Sequence, residues 1–227
     1  MKKSIILSIA LGTLFCLSIA AQEKTIPQLR WGIVAGLNGY DAGDMNLSDD
    51  RGRLGGELGI KVELPLSLKA SHWYLETGAK LRLLRWHETG VTYVTRDPDD
   101  ESKKAIARSS FTRDAYYLNI PIHIGRKGSF GENLSLFFDA GPYIAYGLFG
   151  KSKYIDAYHK IDNQVVHRTY SYNTFDRSRR FEWGVGVKLG AELYKHYQVG
   201  VSYDYGVTRA HDSDRNANFT FVVGYMF

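Results

Sequence analysis

The chain ends Asn218-Phe219-Thr220-Phe221-Val222-Val223-Gly224-Tyr225-Met226-Phe227. Phe219, Phe221, Val223, Tyr225 and Phe227 take every second position, with Thr220, Gly224 and Met226 between them. Side chains alternate sides along a strand. This segment is therefore a strand with one aromatic face, closed by a C-terminal Phe. At the other end, Lys2 and Lys3 precede an apolar run from Ile5 to Ile19 and the small residues Ser18 and Ala20. That pattern is an export signal, expected to be cut after Ala20 or after Ala21. Polar Gln22, Glu23 and Lys24 follow at once, so the run is too short for a spanning anchor. The two ends together point to a barrel in a bacterial outer membrane. The expected organisation is a signal over residues 1–20 and one barrel domain over 21–227.

Cys16 is the only cysteine and lies inside the signal, and Phe15 stands where a lipoprotein signal needs a small residue. The exported chain is thus expected without lipid anchor, disulfide or thiolate metal site. Losing Lys2 and Lys3 takes the formal charge from +5 to +3, too little to suggest a nucleic-acid partner. Beyond the signal there is no apolar run of about 18 residues, hence no transmembrane helix, but that test does not see β-barrels.

Alternation recurs along the exported chain. Strands are expected over 30–38, 56–64, 73–85, 115–125, 134–149, 181–193, 197–207 and 218–227. Short links (65–72, 126–133, 194–196) alternate with long ones (40–55, 86–114, 150–180, 208–217). Short periplasmic turns, long outer links and an even strand number are the outer-membrane pattern. The fold class predicted is all-β, an eight-stranded antiparallel up-and-down transmembrane β-barrel.

A soluble ligand-carrying barrel hides its apolar face inside, whereas a membrane barrel turns it toward lipid. The glycines decide between them. Gly32, Gly59, Gly78, Gly141, Gly184, Gly186, Gly190 and Gly200 share the parity of the charged residues. The interior of an eight-stranded barrel is only wide enough for side chains to fill. Glycine on that face leaves room for Glu57, Lys61, Glu76, Lys80, Arg82, Asp139, Glu182, Lys188 and Glu192, with Glu63 and Asp204 in the same phase. Mixed signs predict a salt-bridged plug rather than a proton or ion path. The Gly184-to-Gly190 run has neither common nucleotide-loop spacing nor a following helix. Trp31, Trp73, Trp86 and Trp183, at or near strand ends, fit interface girdles. Pro121 has inward parity and no N–H, so a bulge or a missing ladder bond is expected there.

Tyr116-Tyr117-Leu118-Asn119-Ile120-Pro121-Ile122-His123-Ile124, Leu134 to Tyr143, Trp183 to Gly190 and the final Gly224-Tyr225-Met226-Phe227 together resemble the PorT-type outer-membrane β-barrel family. The glycine-rich strand and terminal Phe are shared with OmpA- and OmpX-like barrels. The resemblance implies an eight-stranded barrel inserted by the outer-membrane assembly machinery, which reads the final strand. Some such relatives are similar to parts of a protein secretion system.

Three groups of residues bear on function. His211-Asp212-Ser213 looks like the His-x-Ser pair of lipid A deacylases, but no Asp or Glu follows Asp214 to orient the base. A solvated loop is expected there. The third long link carries Lys151, Lys153, Tyr154, Tyr158, Arg168, Tyr170 and Tyr172, and Tyr and Arg favour binding surfaces. Its expected partners are outer-membrane lipid and lipopolysaccharide phosphates, then a surface protein or glycan. The second long link runs from Asp97, Asp99, Asp100 and Glu101 to Lys103, Lys104 and Arg108, lacks the calcium-loop spacing, and reads as a mobile surface loop. The whole predicts a non-enzymatic outer-membrane barrel without cofactor or metal. A lipid A-modifying enzyme and a secretion component are the alternatives.

Overall fold

The computed structural model describes residues 29–41, 52–66, 72–96, 104–159, 165–176, 178–211 and 214–227. The expected signal, Asp97 to Lys103, Asp212 and Ser213 lie outside the described residues. The strands are β1 (Arg30–Asp41), β2 (Gly52–Pro65), β3 (Trp73–Arg96), β4 (Lys104–Pro121), β5 (His123–Phe130), β6 (Leu134–His159), β7 (Val165–Asn173), β8 (Phe181–Leu193), β9 (Tyr197–His211) and β10 (Asp214–Met226). All pairings are antiparallel, and the ring closes through β1 on both β2 and β10. It has eight staves, because β4 and β5 form one stave and β7 stands outside the ring on β6. Closure satisfies the backbone without a free edge in the spanning region.

The break between β4 and β5 falls at Pro121. Register is the same on both sides of it, with Lys80 opposite Asn119 and Glu76 opposite His123. The structure thus takes the missing bond rather than the bulge, and Ile122 N–H still reaches the Pro142 carbonyl at 2.9 Å. Across from the break is Gly78, with φ +146°, where a Cβ would run into the Ile60 carbonyl. A side chain is excluded there by conformation and space together.

Sidedness follows parity. Trp31, Ile33, Leu58, Ile60, Leu81, Ile124, Phe138, Val185, Val187, Leu189, Phe219 and Phe221 stand exposed on the outside. Glu57, Lys61, Glu76, Lys80, Asp139 and Lys188 are buried inside. At the short-turn end Phe227 stacks on Trp31 at 4.4 Å, and its N–H donates to the Trp31 carbonyl at 2.8 Å. This clasps the seam between the first and last strands. The turn at Tyr194 and Lys195 (φ 51° and 63°) is the tight hairpin expected, and Arg30 donates to the Lys195 carbonyl.

The opposite end corrects the expected loops. Much of the second and third long links is strand: β3 and β4 pair as far as Arg96 and Lys104, and β6 and β7 as far as His159 and Val165. The expected mobile loop at residues 86–114 is largely a paired hairpin. The fourth link shortens to residues 212–213, since β9 runs to His211 and β10 begins at Asp214. Polar β residues pair as readily in water as apolar ones do in lipid, so alternation in hydropathy stops where the apolar band stops while the strands go on.

Candidate functional site

Near the short-turn end of the lumen, Glu63 and Glu192 share Lys127 at 2.9 and 2.7 Å and Arg30 at 3.5 and 3.0 Å, and Gln198 donates to both. Above them Glu76 lies between Lys61, at 2.9 Å, and Lys188. Asp139 accepts from Tyr74 Oη at 3.2 Å and contacts His123 Nδ1 at 2.8 Å. Higher still, Arg82 joins Glu57 at 2.8 Å to Asp204 at 2.5 Å, and Lys80 lies 3.4 Å from Glu57. Burial of each charge is expensive unless a counter-ion and hydrogen bonds replace water. Here strands on opposite sides of the ring supply them. Glu76, His123 and Asp139 bring ligand-type atoms within 4.8 Å of one another. Two ammonium groups on Glu76 already supply the positive charge a metal would bring, so the trio is a link in the ion-pair chain.

The upper lumen has a different chemistry. Leu84, Ala115, Tyr117, Tyr143, Ala145 and Phe175 form a buried cluster, with Trp86 packed against it. Phe175 comes from a single 3-10 turn (Thr174–Asp176) after β7, meets Tyr117 edge-on at 5.4 Å and carries Arg180 5.1 Å from its ring. Its ring occupies the space a Cβ on Gly147 would need; Tyr143 stands likewise over Gly184, Phe137 over Gly190 and Tyr74 over Gly125. The lumen glycines therefore seat aromatic rings as well as making room for charges. Trp86 belongs to this inner layer, which corrects its expected place in a girdle; Trp31, Trp73 and Trp183 remain exposed outside. If the ion-paired layers alone close the lumen, Phe175→Ala leaves planar-bilayer conductance as low as in the wild type. Channel opening in that variant would make Phe175 and its aromatic neighbours the seal.

Above the ring, β3, β4, β6 and β7 continue side by side as a projecting sheet. Residues opposite one another share a face. One row runs Trp86, Arg113, Ser152, Tyr172, and the next includes Phe111, Tyr154, Tyr170. Asp156 opposite Arg168, then Tyr158 opposite Val166, continue the same parity by register. Trp86 and Phe111 touch edge-on at 5.1 Å. This face continues the inner wall of the barrel. Lys151 and Lys153 pair with Asn173 and Ser171 on the opposite face and are exposed. A one-residue bulge between Tyr116 and Tyr117 flips the parity of β6 at Leu148, which is why Ser152 is buried and its neighbours are not.

Of the seven surface residues chosen from sequence, the register gathers Tyr154, Arg168, Tyr170 and Tyr172 on the inner face and sends the two lysines to the other. The side chain of Tyr158 is outside the described residues. All nine lumen residues chosen from sequence are buried. Sequence reasoning missed Trp86, Phe111, Arg113, Tyr117 and Phe175 as parts of the mouth. The His211 side chain, Asp212 and Ser213 are outside the described residues.

The profile of the family described as "Outer membrane protein beta-barrel domain" matches residues 20–212. Among solved structures, the attachment invasion locus protein Ail of Yersinia pestis is 14% identical, with 88% of this chain and 100% of that chain covered, at a TM-score of 0.39. Neisserial surface protein A is 9% identical over 89% of this chain and 98% of that one, TM-score 0.40. The N-terminal β-barrel domain of Pseudomonas aeruginosa OprF is 10% identical over 86% and 97%, TM-score 0.30. No curated protein matches the chain.

Proposed function

The chain belongs to the outer-membrane β-barrel domain family, and on that premise we propose that it is a non-catalytic surface-recognition barrel. Its lumen is a sealed, ion-paired support. Its working surface is the inner face of the projecting sheet. The carrying observation is the collection of Tyr154, Tyr170, Tyr172 and Arg168 on one face above a blocked mouth. Tyrosine and arginine are enriched at binding hot spots, and tyrosine gives a large contact area at low conformational-entropy cost. Lys151 and Lys153, on the other face, meet lipopolysaccharide phosphates at the outer leaflet. The signal over residues 1–20 is removed on export, and the assembly machinery takes hold of the C-terminal strand. The PorT-type resemblance is the finer family placement proposed.

Affinity capture from intact cells, with a surface protein or glycan as the retained partner, tests this. Combined Tyr154→Ala, Tyr170→Ala and Tyr172→Ala should weaken capture by at least about tenfold. Lys151→Gln with Lys153→Gln should leave capture intact. Equal capture by the tyrosine variant and the wild type would overturn the assignment.

A further inference from the structure

At the foot of the projecting sheet lies a small cavity lined by Leu84, Trp86, Arg113, Ala115, Tyr117 and Asn216. Two of its polar atoms lack a hydrogen-bond partner. Trp86 Nε1 is buried and makes no hydrogen bond. Tyr117 is 2% exposed, and its Oη, close to the Arg113 and Asn216 donors, has no acceptor for its own proton. An indole N–H and a guanidinium can only donate, and a phenol donates readily. Glu182, the carboxylate whose charge bears on Tyr117, is already engaged: it accepts from Tyr143 Oη at 2.6 Å and from Asn216 Nδ2, which stands on the cavity wall. Asn38, Asn119 and His123 also keep unpaired polar atoms in the lumen, but here two unpaired donors, Trp86 Nε1 and the Tyr117 hydroxyl, face one cavity beside a guanidinium. A buried donor without an acceptor is costly, and each one in a folded protein calls for a missing partner.

We propose that this cavity, with room for about one water-sized atom, takes one oxygen of a small acidic ligand's carboxylate or sulfate, whose remaining atoms lie against the tyrosine-bearing face above. Arg113 supplies the charge, Trp86 Nε1 and Tyr117 Oη donate to that oxygen, and Leu84 and Ala115 line the apolar wall. Charge-assisted bonds from a guanidinium are the strong ones, so Arg113 carries most of the selectivity for an anion. The proposal rests on the assignment of the projecting face as the recognition surface.

The test follows the indole N–H resonance of Trp86 in the full barrel in lipid nanodiscs, identified by its loss in Trp86→Phe. Glucuronate, acetate, sulfate and neutral glucose are titrated at matched ionic strength. Glucuronate should shift the Trp86 resonance saturably and glucose should not; whichever of acetate and sulfate also shifts it names the preferred oxyanion. Arg113→Gln should weaken the glucuronate response by at least about tenfold, and Tyr117→Phe should weaken it less. The proposal fails if no oxyanion gives a saturable shift, if glucose matches glucuronate, or if Arg113→Gln binds as the wild type does. Partner capture that survives in Arg113→Gln beside a silent Trp86 resonance would sink the cavity alone. Capture that survives in the tyrosine variant would sink the surface assignment itself.

Discussion

Arg82→Ala should destabilise the barrel by about 3–5 kcal/mol, measured by urea unfolding in lipid vesicles. Arg82 is 4% exposed and is the only cation within ion-pair distance of Asp204 among the described residues. It also holds Glu57, at 2.8 Å, more closely than Lys80 does at 3.4 Å. Truncation strands Asp204 and half-releases Glu57 in a space where water cannot replace the guanidinium. The loss is that of leaving charge uncompensated, not the net worth of the pair. The two can be separated. Arg82→Met combined with Asp204→Asn removes one charge of each sign, leaves Glu57 paired with Lys80, and should recover most of the stability, because a neutralised buried pair costs far less than a broken one. A change below about 1 kcal/mol in Arg82→Ala is the value expected of a solvated pair, and it would mean that the lumen is wet at this level.

How far this could be read from the chain depends on what writes the pattern. Lipid imposes strict alternation on the outer face, so β8 was legible to the residue: Phe181 to Leu193 is both the expected and the observed strand. The lumen charges were legible for the same reason, since parity alone puts Glu57, Lys61 and Lys188 inside. Parity also put Trp86 in phase with Tyr74 and Arg82, yet proximity to a strand end favoured a girdle, and that weaker rule failed. Ring partners were out of reach. Nothing in sequence says that Phe175, which follows a polar hairpin, folds back onto Gly147. The projecting sheet was hidden because no lipid enforces a pattern there, and because the bulge at Leu148 reverses the parity that served below it. Tyr154, Tyr170 and Tyr172 were recognisable as interaction residues by type, but their common face is a product of register, which only pairing reveals.

Val187→Arg should cost about 2–4 kcal/mol of folding stability in bilayers, the penalty of a cation on a lipid-facing position near the midplane. Val187 is 45% exposed, opposite Ala140 and Tyr203 and in the middle of β8, while its neighbour Lys188 is 4% exposed and faces Glu76. The two residues are adjacent in sequence and differ only in which side of the sheet they serve. A charge is therefore tolerated at 188, where counter-ions surround it, and resisted at 187, where hydrocarbon does. The same substitution at Tyr197, beside the short-turn end, should cost only about 0–1 kcal/mol, because the penalty falls toward the interface. A depth dependence of this kind has no counterpart in a water-soluble barrel, whose exposed face is uniformly wet. Equal, small effects at 187 and 197 would mean that the apolar belt faces something other than lipid, and the buried ion pairs of the lumen would then need a different explanation.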